Sequence, residues 1–169
     1  MSNVDMPYVR KAVPKDAVYL ALDMRKLDKL EIKYSHNIEP LDAVMSCFNL
    51  KNAKNYTITD DHGVIYGMFG VSDCPMQPRQ GVVWLLCSDF IKSIPNSFYR
   101  ECKSWINHLA ENYDSIYNFV YEKNWLALKW LQLSGFTVAQ KLKVGPYKKN
   151  FYLIVKDKDE ICVTQQQSQ

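Results

Sequence analysis

The chain has 169 residues, 47% of them hydrophobic and 23% charged, with a net charge of +3. That length suits one domain with a substantial core and excludes two ordinary ones. The composition excludes long disorder, and 6 Gly and 7 Pro exclude a collagen-like or linker-dominated chain.

In chain order, residues 8–12 have extended character. Pro14-Lys15-Asp16 then opens a helix with Ala17, Leu20, Ala21, Met24 and Leu27 on one face and the charges Asp23, Arg25, Lys26, Asp28 and Lys29 on the rest. Ile38-Glu39-Pro40 starts a second helix, with Leu41, Val44, Met45 and Phe48 as its apolar stripe. Residues 56–59 and 64–71 form a strand pair around the turn Asp60-Asp61-His62-Gly63. Residues 72–80 form a loop. The apolar run 81–87 suits a strand covered on both faces.

A third helix follows Pro95, with Phe98, Cys102, Trp105, Ile106 and Leu109 at helical spacing. Residues 116–122 form a strand, and 124–134 a helix closed by Gly135. Residues 137–144 and 151–155 form a hairpin across Gly145-Pro146-Tyr147. One domain is expected over residues 1–156, with a polar tail over 157–169 ending in TQQQSQ. The order β-α-α-β-β-β-α-β-α-β-β predicts an α/β or α+β fold with a mixed sheet. The central strand-helix-strand unit is expected to be a parallel, right-handed crossover.

Several functions are argued against by the same residues. No apolar run approaches ~18 residues, so no membrane span is expected. MSNVDMPYVRKAVPKD lacks an apolar stretch of signal-peptide length, which makes the cytoplasm the expected location. Five cysteines (47, 74, 87, 102 and 162) without a CxxC are expected to be reduced thiols, and three scattered histidines give no metal site. A charge of +3 argues against nucleic acid as the main partner. Only the hairpin of Lys141, Lys143, Lys148 and Lys149 with Tyr147 and Tyr152 speaks for it, and a solvated hairpin tip explains those residues as well. The aromatic content, 11 Tyr, 7 Phe and 4 Trp, points to a protein-partner surface as well as a core.

The segment Asn124-Trp125-Leu126-Ala127-Leu128-Lys129-Trp130-Leu131-Gln132-Leu133-Ser134-Gly135-Phe136 resembles the N-x-x-A-x-x-x-Y-x-x-x-G-F helix of the GNAT acyltransferases, the GCN5-related N-acetyltransferases. Asn124, Ala127, Gly135 and Phe136 fall on four of its five positions. The opening Val9-Arg10-Lys11-Ala12-Val13-Pro14-Lys15-Asp16-Ala17 is similar to that family's first strand and helix, and the resemblance extends over residues 7 to 156. The stretch from Trp84 through Trp105 and Asn118-Phe119-Val120 to Gly135 also resembles small proteins of short-tailed bacteriophages, described variously as acetyltransferases or as internal virion protein A.

The resemblance implies a GNAT-like, mostly antiparallel central sheet with helices on both faces, and acetyl-CoA held where the fourth and fifth strands splay apart. It implies cofactor contacts at Leu86 and Cys87 on the strand, at Lys92, Ser93 and Ser97 in the following loop, and at Asn124. In the family that loop reads [RQ]-x-x-G-x-[GA]. Here Lys92 takes its first position, and Pro95 and Ser97 replace the glycines, which removes one amide donor and stiffens the turn. The family's proton-donating tyrosine falls on Leu131, with Tyr121 and Tyr117 upstream as substitutes. Asp89 and Glu122 are the nearest carboxylates for a general base, though a solvated loop or strand-end acid is the commoner explanation of each. Cys87 reads as a buried strand thiol rather than a nucleophile. Two functions follow from the resemblance: acetyl transfer from acetyl-CoA to an amine, or a catalytically silent protein acting by contact. As a phage protein it would meet a virion or host protein, in the cytoplasm of the infected bacterium or in the virion.

Overall fold

The computed structural model describes residues 6–158. The first strand, β1 (Tyr8–Lys11), runs into helix α1 (Pro14–Asp23). Proline costs no hydrogen bond in a first turn, and the Asp16 carboxylate accepts from the Val13 N–H at 2.9 Å. Burial works against that carboxylate. The two-pronged Arg10 ion pair (2.8 Å on each arm), the Val13 N–H and the Thr57 hydroxyl nevertheless hold it below its ordinary range. One side chain thus ties β1, α1 and β2 (Lys54–Thr59) together.

The helix expected to run past Met24 stops there. Met24 and Arg25 turn to ψ 138° and 142°, and a separate helix α2 (Lys26–His36) begins. Two contacts with the end of strand β4 (Gln80–Cys87) account for the break: the Arg25 N–H donates to the Cys87 carbonyl at 2.9 Å, and Met24 bridges to Ser88. Asn37 closes α2 in the left-handed region, and α3 (Pro40–Ser46) follows. Three helices therefore precede β2, where the sequence periodicity predicts two.

With β3 (Ile65–Asp73), β5 (Ser115–Tyr121), β6 (Thr137–Val144) and β7 (Lys149–Asp157), the strands form a single sheet in the order β1-β2-β3-β4-β5-β7-β6. Every neighbouring pair is antiparallel except β4–β5, joined in parallel through α4 (Asn96–Ala110). This is the expected mixed, mostly antiparallel architecture. Ala17, Leu20, Met24, Ile32 and Val44 pack α1–α3 on one face, against Ile65, Met68 and Leu86. Phe98, Cys102, Ile106, Leu109 and Leu131 pack α4 and α5 (Trp125–Leu133) on the other, in one cluster with Val83, Val120 and Ile154.

The end of α5 explains its Gly-Phe. Gly135 sits at φ 97°, its N–H reaching the Gln132 carbonyl, while the Phe136 N–H reaches the Leu131 carbonyl. That pair of bonds is a Schellman cap, and it places Leu131 and Phe136 in the same core. Phe136 is buried in this core, and Leu85, Trp105, Phe119 and Trp130 are half-buried. No helix among the described residues is long and apolar enough to cross a membrane. The expected polar tail lies, from residue 159 onward, outside the described residues.

Candidate functional site

The ladder between β4 and β5 covers three pairs only, ending at Val82↔Tyr117. Beyond it β4 stays with β3 as far as Gly67↔Cys87, and β5 stays with β7 as far as Tyr121↔Phe151. The two strands therefore part and leave a gap in the middle of the sheet. The Ser88 N–H donates toward β3, to the Tyr66 carbonyl. By the alternation of strand hydrogen bonding, the backbone edges of Val83, Leu85 and Cys87 face the gap.

Helix α2 lies over the mouth of this gap and inserts two carboxylates. Asp28 and Glu31, three residues apart, project from one face of the helix. Asp28 Oδ2 accepts from the Cys87 N–H at 2.9 Å, and Glu31 Oε2 from the Tyr121 N–H at 3.0 Å, so each strand end is held by one acid. The amide nitrogen of Asn124 donates to both, at 3.1 Å and 3.2 Å. Asn124 stands at the N-cap of α5, where its side chain would ordinarily cap its own helix. It makes no such bond, and its buried amide oxygen has no hydrogen-bond partner among the described residues.

Burial, and then the neighbouring Asp28 charge, push the Glu31 carboxyl up to about 7, against the opposing pull of the Tyr121 N–H, Asn124 and Arg25. Burial also raises Asp28, despite Arg25 at 3.5 Å. Removing a carboxylate from water disfavours its charged form, and a second carboxylate nearby adds to the effect.

Three cavities meet at the gap. A narrow cleft of about 50 Å³ opens between α4 and α5, past Phe98, Tyr99, Leu126 and Trp130. An inner space of about 30 Å³ lies under Leu131 and Val120. A groove of about 540 Å³ lies on the α2–α3 side. Leu85 lines all three, and Glu31 lines the inner space and the groove.

The fit to acyl-CoA is partial. The Leu85 edge faces the gap, and the exposed start of α4 presents its first amides beside Lys92. Pro95 falls at the N-cap, so the N–H groups of Asn96 and Ser97 remain at the helix start. At Cys87, however, the N–H is held by Asp28 and the carbonyl by Arg25, so both of its backbone groups are engaged within the chain. An acyl arm in the narrow cleft also has to displace its aromatic lining.

Of the residues singled out from sequence, the structure brings Cys87, Tyr121 and Asn124 together around α2. Tyr121 contributes its backbone N–H there, and its ring is buried between Tyr34 (5.2 Å) and Phe151 (5.6 Å). Leu86 points to the α1–α3 core and lines the groove. Lys92, Ser93 and Ser97 are exposed around the start of α4, with Ser93 Oγ donating to the Phe90 carbonyl at 2.7 Å. Asp89 is exposed in the turn after β4. Glu122 lies at the end of β5, where Lys141 (2.9 Å) and Asn150 (3.3 Å) hold its carboxyl below the ordinary range. Burial pushes the Cys87 thiol far up, so it stays protonated. Leu131 occupies the tyrosine position and is buried. Among the described residues, no group of three or more His, Cys, Asp and Glu side chains could hold a metal ion.

Glu31 and Asp28 are absent from the sequence-based candidates because α2 reads there as a charged continuation of α1. Leu27, Leu30 and Tyr34 do recur at helical spacing, with the acids interleaved. That stripe was the available signal.

No protein-family model matches the chain, and no curated protein sequence matches it significantly. The similarity found is structural. A spermidine N-acetyltransferase from Vibrio cholerae, in complex with CoA and spermine, superposes with a TM-score of 0.66 at 13% identity, over 93% of this chain and 98% of that one. The aminoglycoside acetyltransferase AAC(6')-Ib, in complex with coenzyme A and kanamycin, superposes with a TM-score of 0.68 at 11% identity, over 94% and 99%. At such identities the likeness is one of fold, and this chain has the fold of the GNAT N-acetyltransferases.

Proposed function

We propose that this protein transfers an acyl group from acyl-CoA to an amine, with Glu31 as the general base. The observation that carries this reading is the position of Glu31: a carboxylate titrating near 7, in the gap of the sheet, lining both the inner space and the open groove. The structural neighbours that hold CoA support the cofactor.

When bound, acyl-CoA supplies an acyl carbon activated as a thioester. Glu31 takes the proton of the attacking amine, and a base working near neutral pH is most effective with its pKa close to the pH. The Tyr121 N–H and Asn124 hold that carboxylate in one orientation. The Leu85 edge offers a backbone donor in the gap, where negative charge on an acyl oxygen would be stabilised. The start of α4, with Lys92, suits a phosphate group.

Two observations favour a second reading. Both backbone groups of Cys87 are engaged, by Asp28 and Arg25, and α5 exposes Trp125 and Leu133. On that reading the protein keeps the fold and acts by contact with a protein partner, such as a phage virion component or a host protein.

Release of CoA from acetyl-CoA in the presence of primary amines tests the choice. Glu31→Gln should lower kcat by roughly 10² to 10⁴-fold, the usual range for a general base, with little change in the KM for acetyl-CoA. A variant with wild-type kcat would remove Glu31 from the chemistry. A wild-type chain that releases no CoA with any amine would leave the second reading.

A further inference from the structure

The groove on the α2–α3 side is poor in charge. Glu31 is the one carboxylate among its lining residues, and no lysine or arginine lines it. Asp28, one turn away, lies outside the lining and is engaged by the Cys87 N–H, Asn124 and Arg25. Beyond Glu31 the walls are largely apolar at Ile32, Ile38, Leu50, Trp84, Phe119 and Val144, with hydroxyls at Ser35, Ser46, Ser72 and Tyr117 and an amide at Asn118. His36, at the α2 end of the groove, places its Nδ1 at 2.7 Å from the Ser35 hydroxyl. The volume of about 540 Å³ lies within the range of small-molecule sites.

We propose that this groove takes a small primary amine carrying a single positive charge on an apolar, flat arm. The ammonium sits against Glu31, and the arm lies along Trp84 and Phe119. The proposal rests on the acyl-acceptor reading of the groove and adds the class of acceptor. An ammonium removed from water needs an anionic or hydrogen-bonding partner. The first finds Glu31. A second, farther along a polyamine, finds uncharged hydroxyl and amide groups, ring faces and aliphatic walls, each a weaker partner than a carboxylate. An apolar arm instead gains by leaving water against those walls. The same arrangement selects against the polycations seen in the neighbouring structures.

Calorimetric titration of the full chain with 2-phenylethylamine and with spermidine, at one ionic strength, tests this directly. The aromatic amine should bind at least about tenfold tighter, a difference of ~1.4 kcal/mol. Glu31→Gln should abolish most of that binding. Leu50→Asp places a second carboxylate at an exposed position on the groove wall and should narrow or reverse the preference. Equal or tighter binding of spermidine by the wild-type chain, or no binding of 2-phenylethylamine, overturns the proposal. CoA release is measured on the same samples. Its absence with the binding preference intact removes the transferase reading alone, and turnover with spermidine preferred removes the proposed selectivity alone.

Discussion

Glu31 binds its proton more tightly in the folded chain than a free glutamate does, and this has a consequence for stability as well as for chemistry. Its carboxyl rises from an ordinary 4.5 to about 7 on folding, so protonation favours the folded state. The associated stability is fully present below about pH 4.5 and is lost as pH rises through about 7. A glutamine in its place would be neutral throughout and could still accept from the Tyr121 N–H through its carbonyl oxygen. The Glu31→Gln chain should therefore lose less stability than wild type between about pH 5 and pH 8, as measured by urea midpoints at each pH. Parallel pH profiles for the two chains would place the raised carboxyl elsewhere. Glu122, which the sequence offered as a base where Glu31 was not named, has the opposite setting. Lys141 and Asn150 keep it charged at the sheet end, so its exchange for glutamine should leave that profile unchanged.

At the scale of elements, α2 is where the site is made, and the hairpin of β6 and β7 holds it from outside. Gly145, at φ 73°, lies so close to α2 that a Cβ there would overlap the Tyr34 carbonyl and come within 2.9 Å of that of Ser35. The Tyr147 hydroxyl reaches Asn37 at 3.2 Å, and Lys149 lies 5.1 Å from the centre of the Tyr34 ring. Tyr147 and Lys149, two of the side chains that suggest a nucleic-acid tip in sequence, thus form a clasp on α2. Gly145→Ala meets both a left-handed backbone and a filled space. It should cost about 1–3 kcal/mol of stability by chemical denaturation and weaken amine binding in the groove, whose wall includes the adjacent Val144. A neutral effect on both would show that the hairpin does not support α2.

For the whole molecule, the gap between β4 and β5 is the feature that a cofactor would report on. A ligand at about a hundred times its Kd adds about 2.7 kcal/mol to a folded state it binds exclusively. For a chain of this size that is a rise in Tm of roughly 5 to 10 °C. Acetyl-CoA should produce such a rise in the wild-type chain. No rise at millimolar acetyl-CoA would mean that the hold of Arg25 and Asp28 on Cys87 keeps the arm out, and would favour action by contact.

The order of elements from β2 onward was legible in the chain because each has a local cause. The β-favouring residues and the turn between them mark β2 and β3, the continuous apolar run marks β4, the 3.6-residue stripe of Phe98, Cys102, Ile106 and Leu109 marks α4, and the Schellman glycine ends α5. Asn124, Cys87 and Tyr121 were legible as positions near the site, although the groups they contribute, an amide side chain and two backbone N–H groups, are not the chemistry that sequence suggested for them. The break at Met24 and Arg25, and with it the placement of Asp28 and Glu31, depends on bonds to strand ends some sixty to ninety residues away in the chain. Local sequence periodicity carries propensity and pattern but no record of such partners. The raised carboxyl of Glu31 exists only where the tertiary fold removes water and sets Asp28 beside it, and that is why tertiary structure alone decided the site.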